Sequence, residues 1–213
     1  MIRFPDPPDA YSIDVAADQH LAPGARRPVY YLRVYYPNRF PEAENHLDTQ
    51  MLLRLKGGER DGFIHYSRLI GVMIVGVVPP GWPVRVVAMP SHRSEVPRQD
   101  CPLRQLIGSV RGLVDLSGCL VRRTTVRKAA RAWRGQRPDQ EVHQASMEVP
   151  LDHSRYVRGN HILLLDDVVT TGASMVGASQ VLLRAVEMSV NRFALTNNQT
   201  PIRRRNLALV RPR

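Results

Sequence analysis

The sequence predicts an α/β protein built on a parallel sheet of about five strands flanked by helices. Two observations carry this. Short apolar runs at Val84–Met89 and Ile162–Leu165 are each followed by a polar loop. Beyond each loop, apolar residues recur at helical spacing: Leu103, Leu106, Ile107, Val110, Leu113 and Val114 in the first unit, and Met175, Ala178, Leu182, Ala185 and Val186 in the second. Strand, loop and amphipathic helix form the unit of a parallel sheet, whose strands are apolar throughout because both faces are covered.

The other elements follow in order. Residues 1–28, rich in Pro, Asp and Ala, read as an extended lead-in. Val29–Tyr36 is aromatic and β-branched and reads as a strand, broken by Pro37, Asn38 and Pro41. Met51–Gly58 closes one segment, and Phe63–Val78 reads as a helix that stops before Pro79-Pro80-Gly81. Phe193–Thr196 is the strand after the last helix, and the arginines at 203–205, 211 and 213 form a solvated tail. Without repeats or low-complexity linkers, the chain divides into N-terminal extension or hood elements (1–50) and an α/β domain (51–213).

Composition limits the function classes. The 213 residues suffice for one substantial domain with a modest elaboration. The longest apolar run, Leu69–Val78, has ten residues and two glycines, too short for a membrane span. The first residues lack the apolar core of a signal peptide. Cys101 and Cys119 make neither a metal-like spacing nor a disulfide framework, so the expected compartment is the cytoplasm. The net charge of +11 suits a phosphate-bearing ligand and equally permits contact with nucleic acid.

Residues 161–174 carry the most chemistry. The apolar run ends in Asp166 and Asp167, followed by Val168-Val169-Thr170-Thr171-Gly172-Ala173-Ser174. Carboxylates at the carboxyl end of a strand lie where open α/β sheets bind ligands, and they can accept hydrogen bonds from vicinal hydroxyls. The turn that follows offers backbone N–H groups, hydroxyls and a helix N-terminus to a phosphate. The segment resembles the phosphoribosyl-diphosphate (PRPP) signature of type I phosphoribosyltransferases at every position: apolar strand, two acids, an apolar residue, a variable one, Thr-Thr-Gly, a small residue and Ser.

The resemblance implies a type I phosphoribosyltransferase-like sheet with a small variable hood. It implies that Asp166 and Asp167 bind the ribose hydroxyls as the catalytic pair and meet Mg²⁺ through water. Thr170, Thr171, Gly172, Ala173 and Ser174 would then hold the 5′-phosphate. It places diphosphate on the loop after the earlier strand, Ser91-His92-Arg93. It also implies a closing loop ahead of the PRPP strand, for which the basic stretch Val121–Gln140, with Arg131, Arg134 and Arg137, has the right place and sign. Leu55-Lys56-Gly57-Gly58, then Ala88–Arg93, then Asp166–Ser174 follow the order of the ComF branch of phosphoribosyltransferase-like proteins, which adds Lys56 to the diphosphate set. The chain departs from that branch in lacking an N-terminal cysteine cluster, and Arg134, Arg137 and His143 stand where that branch usually has an Arg/Gln/Asn pattern.

The expected activity is Mg²⁺-dependent transfer of phosphoribose from PRPP to a small nitrogenous base, releasing diphosphate, with a homodimer compatible. The alternative is a non-catalytic ComF-like protein in DNA uptake or processing, or a PRPP-sensing regulator.

Overall fold

A computed structural model describes residues 11–14, 28–37, 40–77, 83–94, 101–127, 138–170, 172–186 and 189–198. Among them the chain runs through β1 (Tyr11–Asp14), β2 (Pro28–Tyr35), α1 (Glu42–Asn45), α2 (Leu47–Lys56), α3 (Arg60–Val77), β3 (Val84–Ala88), α4 (Pro102–Ser109) and β4 (Leu113–Asp115). After a 3₁₀ turn at Ser117–Cys119 come β5 (Val121–Arg122), α5 (Gln140–Ala145), β6 (Met147–Glu148), α6 (Ser154–Val157), β7 (His161–Val169), α7 (Ala173–Val186) and β8 (Ser189–Asn198).

The main sheet has the order β1-β2-β8-β7-β3-β4. Its five strands from β2 to β4 are parallel, and β1 pairs antiparallel with β2 at one edge. β5 and β6 form a separate antiparallel pair. The parallel α/β architecture thus matches the expectation from the two βα units. The lead-in differs: Tyr11–Asp14 forms an edge strand, and β2 pairs with β8 inside the main sheet, so the sheet reaches into residues 1–50.

Both faces of the sheet are covered. On one, Ile162, Leu164 and Ala194 pack with Met175, Ala178 and Leu182 of α7 and with Val157. On the other, Val86, Leu165, Phe193 and Leu195 pack with Leu52, Leu55, Tyr66, Ile70, Leu106 and Ile107 of α2, α3 and α4. Alternate residues of β7 therefore serve opposite layers, which explains a strand that is apolar at every position from 162 to 165.

Two expectations are corrected. Leu113 and Val114 continue the helical periodicity of α4 in sequence, yet the helix ends at Ser109 and they form β4 beside β3. Val110 turns extended and Gly112 adopts φ +91°, a conformation that suits glycine, and this reverses the chain into the sheet. β7 also outruns its apolar core: Asp166, Val168 and Val169 pair with Ala194, Thr196 and Asn197 of β8, so the acids lie within the strand and not at its end.

α2 and α3 form a tight hairpin that covers the sheet near its carboxyl end. His46 Nδ1 caps α2 by accepting from the Thr49 amide at 3.3 Å, and Arg54 and Lys56 in the last turn complement its dipole. Gly62 lets the helices touch: a Cβ there would lie 2.7 Å from Leu55 Cα and 2.8 Å from Met51 O, and nearer still to Leu55 N. Gly62→Ala gains about 1 kcal/mol of helix propensity. The clash with backbone costs about 3 kcal/mol or more, so the variant is expected to be less stable. A urea titration checks this, and an unchanged or raised midpoint would show that the hairpin tolerates a wider spacing.

Candidate functional site

The connections leaving β3 and β7 diverge. β3 leads to α4 on one face and to β4 on one side; β7 leads to α7 on the opposite face and to β8 on the other side. β3 and β7 are neighbours, paired up to Ala88 and Leu165. The crevice beyond their carboxyl ends is therefore the topological switch point of the sheet, where open α/β folds bind ligands. The Met89 amide still donates to Leu165 O at 2.7 Å. Beyond that bond the two chains part, and the residues nominated from sequence begin: Ser91-His92-Arg93 on the β3 side, Asp166 and Asp167 on the β7 side.

The acids are adjacent in a strand and so point to opposite layers. Asp167 faces the α2–α3 layer, where Lys56 Nζ lies 2.9 Å from its Oδ2. Lys56 ends α2 and thus reaches the same site as the acids. Thr196 Oγ1 donates to the Asp167 carbonyl at 3.1 Å and fixes the backbone there. Asp166 faces the other layer, and its Oδ1 accepts from the Asp167 amide at 2.9 Å. Burial, then the neighbouring Asp167 charge, push the Asp166 carboxyl well above the ordinary carboxylate range, while the Asp167 amide, Lys56 and Arg122 pull it partly back. An acid so placed is short of positive charge.

The turn read from sequence as a phosphate cradle stands directly after β7. Thr170 follows the strand, Gly172 has φ +81°, and its carbonyl accepts from Val176 N at 2.9 Å to open α7, which begins at Ala173. Thr171 lies outside the described residues. So do Arg131, Arg134 and Arg137 of the expected closing loop.

The start of that basic stretch departs from expectation. Arg122, read from sequence as part of a charged lid, is buried in β5. Its Nε donates to Ser91 O at 2.6 Å, its Nη1 donates to Ser146 Oγ, and its Nη2 lies 3.6 Å from Met147 Sδ. Ser146 Oγ in turn donates to His143 O at 2.8 Å. These partners were not identified from sequence. The available signal was weak: an arginine between Val121 and another arginine, in a stretch otherwise dominated by charge.

His143 completes this buried polar region. Its imidazole is pushed down from 6.5 to about 4, first by burial and then by the Arg122 charge. On unfolding His143 takes up a proton, so it costs stability as pH falls from 6.5 towards 4. Asp166 releases one, so it costs stability as pH rises through the same window. Replacing either group exposes the other: relative to the parent, Asp166→Asn should lose stability between about pH 7 and about pH 5, and His143→Gln should gain it. Thermal midpoints across that range check this, and parallel profiles for the two variants would overturn the pairing of signs.

No group of three or more His, Cys, Asp or Glu side chains that could cage a metal occurs among the described residues. Two adjacent carboxylates nevertheless suit Mg²⁺, which takes one or two protein carboxylates and fills its shell with water and substrate oxygens. The under-compensated charge at Asp166 favours a cation there. No helix among the described residues is long and apolar enough to cross a membrane. No protein-family model matches the chain, and no curated protein matches it.

Proposed function

We propose that the protein binds PRPP and transfers its phosphoribosyl group to a small nitrogenous base, releasing diphosphate, on a fold of the type I phosphoribosyltransferase kind. The observation that carries this reading is the placement of the Asp166-Asp167 pair and the Gly172 turn at the switch point of the sheet. The carboxylates accept hydrogen bonds from the ribose hydroxyls, and the turn with the first amides of α7 takes the 5′-phosphate. The 91–93 loop, entered from the neighbouring strand, takes the diphosphate.

In the reaction the base nitrogen forms a bond to the anomeric carbon as the bond from that carbon to the diphosphate oxygen breaks, and the electron pair leaves with diphosphate. Positive charge that develops on the ribose is stabilised by the adjacent carboxylates. Asp166 and Asp167 would hold Mg²⁺ through water, and the ion would supply charge neutralisation to the diphosphate. Lys56 supplies a second cation once it turns from Asp167 to the incoming phosphates. On this reading the loop expected to close over the site, with Arg131, Arg134 and Arg137, would exclude water from the reactive centre. Calorimetric titration with PRPP in the presence of Mg²⁺, followed by a screen of bases for diphosphate release, tests the proposal. Absence of PRPP binding would end it.

The net charge of +11 also permits a second reading: a ComF-like protein that retains the ribose-phosphate pocket without turnover and meets nucleic acid through the basic segment. Replacing Arg131, Arg134 and Arg137 together with Ala separates the two. For a lid, transfer is expected to slow while ribose 5-phosphate affinity holds. For a nucleic-acid surface, DNA or RNA binding weakens and its salt dependence flattens by about one slope unit per lost phosphate contact. Gel shifts at several salt concentrations beside a diphosphate-release assay decide between them.

A further inference from the structure

Arg122 carries a buried guanidinium whose donors are directed to two separate pieces of chain, Ser91 O at the start of the 91–94 loop and Ser146 Oγ beside β6. The residues after it continue the same clasp. Val126 N donates to His92 O at 2.8 Å, and Ser94 N donates to Thr125 Oγ1 at 3.0 Å. The Arg93 amide is turned back onto Ser91 Oγ at 3.3 Å. The loop is thus held at Ser91, His92 and Ser94 by Arg122, Val126 and Thr125 at the start of the basic stretch. On the other side, Arg123 N donates to Ser146 O at 2.8 Å, and α5 packs on α7 so closely that a Cβ at Gly177 would lie 2.7 Å from Gln140 O. Arg122 therefore joins the 91–94 loop to the layer that carries α7.

We infer that Arg122 is a positioning residue: it sets the 91–94 loop in register with the β7–α7 turn, so that the two anionic ends of one ligand are held at a fixed separation. The inference rests on the proposed reading of the loop as the diphosphate cradle. Arginine suits the task because its planar fork fixes two acceptors at once, whereas lysine offers a single point charge. A buried guanidinium also costs desolvation, and burial holds its acidity above that of an ordinary arginine despite the pull of Asp166. The cost is repaid through hydrogen bonds that lock two loops.

The test uses the whole chain as Arg122→Lys, Arg122→Met and Thr125→Val, the last at an exposed position where folding is not in question. Affinities for inorganic diphosphate with Mg²⁺ and for ribose 5-phosphate are measured by calorimetry, with amide exchange at Arg93, Ser94 and Val126. Diphosphate affinity is expected to fall about tenfold or more in the Arg122 variants and by less in Thr125→Val. Ribose 5-phosphate affinity should stay within about twofold, and the three amides should exchange faster. Equal losses for both ligands would make Arg122 a purely structural residue and overturn the inference, as would unchanged diphosphate affinity and exchange. Should the parent bind ribose 5-phosphate while the variants keep diphosphate, the inference alone falls. Should the parent bind neither ligand, the functional reading falls and takes the inference with it.

Discussion

The Asp166→Asn/Asp167→Asn variant is expected to fold and to lose all measurable PRPP binding. Folding survives because neither carboxylate supports the core. Asp167 makes a partly exposed pair with Lys56, a class of contact worth about 0–1 kcal/mol. Burial disfavours the Asp166 charge and raises its carboxyl well above the ordinary carboxylate range, so a neutral amide of the same shape relieves that cost. Binding is another matter. Each carboxylate that accepts a ribose hydroxyl contributes about 1.5–3 kcal/mol, and the pair also supplies the negative charge that draws a cation to the site. The loss is thus a hundredfold or more by the lower figure taken twice, on the order of 3 kcal/mol. Circular dichroism and calorimetry on the same preparation check it. Parent-like affinity in the folded variant would move the ribose site away from β7.

The single variants carry further information because the acids face opposite layers. Asp167→Asn frees Lys56, whereas Asp166→Asn leaves the Lys56 pair intact and removes the group nearer Arg122. If Lys56 assists by turning to the diphosphate, Asp167→Asn should weaken binding less than Asp166→Asn, since the lysine no longer has to exchange one anion for another.

What the sequence disclosed about this site is what local pattern can disclose. Ile162–Leu165 is apolar at each position and Val84–Ala88 at all but Arg85, and the polar residues that follow each had to emerge from the same end of a parallel sheet. Lys56 was nominated for the diphosphate through the order of motifs, and in the structure its ammonium group meets Asp167. Contacts across long stretches of chain were not legible. Arg122 finds Ser91 and Ser146 at separations of 31 and 24 residues, and nothing in its neighbours distinguishes it from the arginines of a solvated face. Likewise, the hydrophobic stripe through Leu113 and Val114 obeyed the helical period, and only the turn at Gly112 and the edge offered by β3 made a strand of it. β1 was hidden for the same reason: a four-residue edge strand exists through its partner and not through its own propensity.

Gly172→Val is expected to abolish binding of ribose 5-phosphate and to lower stability as well. Two effects act at this position and they can be separated. With φ at +81°, Gly172 occupies backbone space where a β-branched residue is strained by about 1–3 kcal/mol. In addition, on the proposed reading a side chain at the start of α7 enters the volume where the phosphate meets the first amides of the helix. Asparagine tolerates the left-handed region far better than valine, so Gly172→Asn removes most of the strain and keeps the obstruction. The thermal midpoint of Gly172→Asn should therefore stay near that of the parent, while Gly172→Val falls below it. Both variants should lose ribose 5-phosphate affinity by about tenfold or more, because the backbone can no longer close on the anion. If Gly172→Asn binds as the parent does, close approach at this turn is not required and the phosphate cradle lies elsewhere in the crevice. If Gly172→Asn loses binding with its stability intact, the turn between β7 and α7 is the phosphate site, because strain has been removed as the competing explanation.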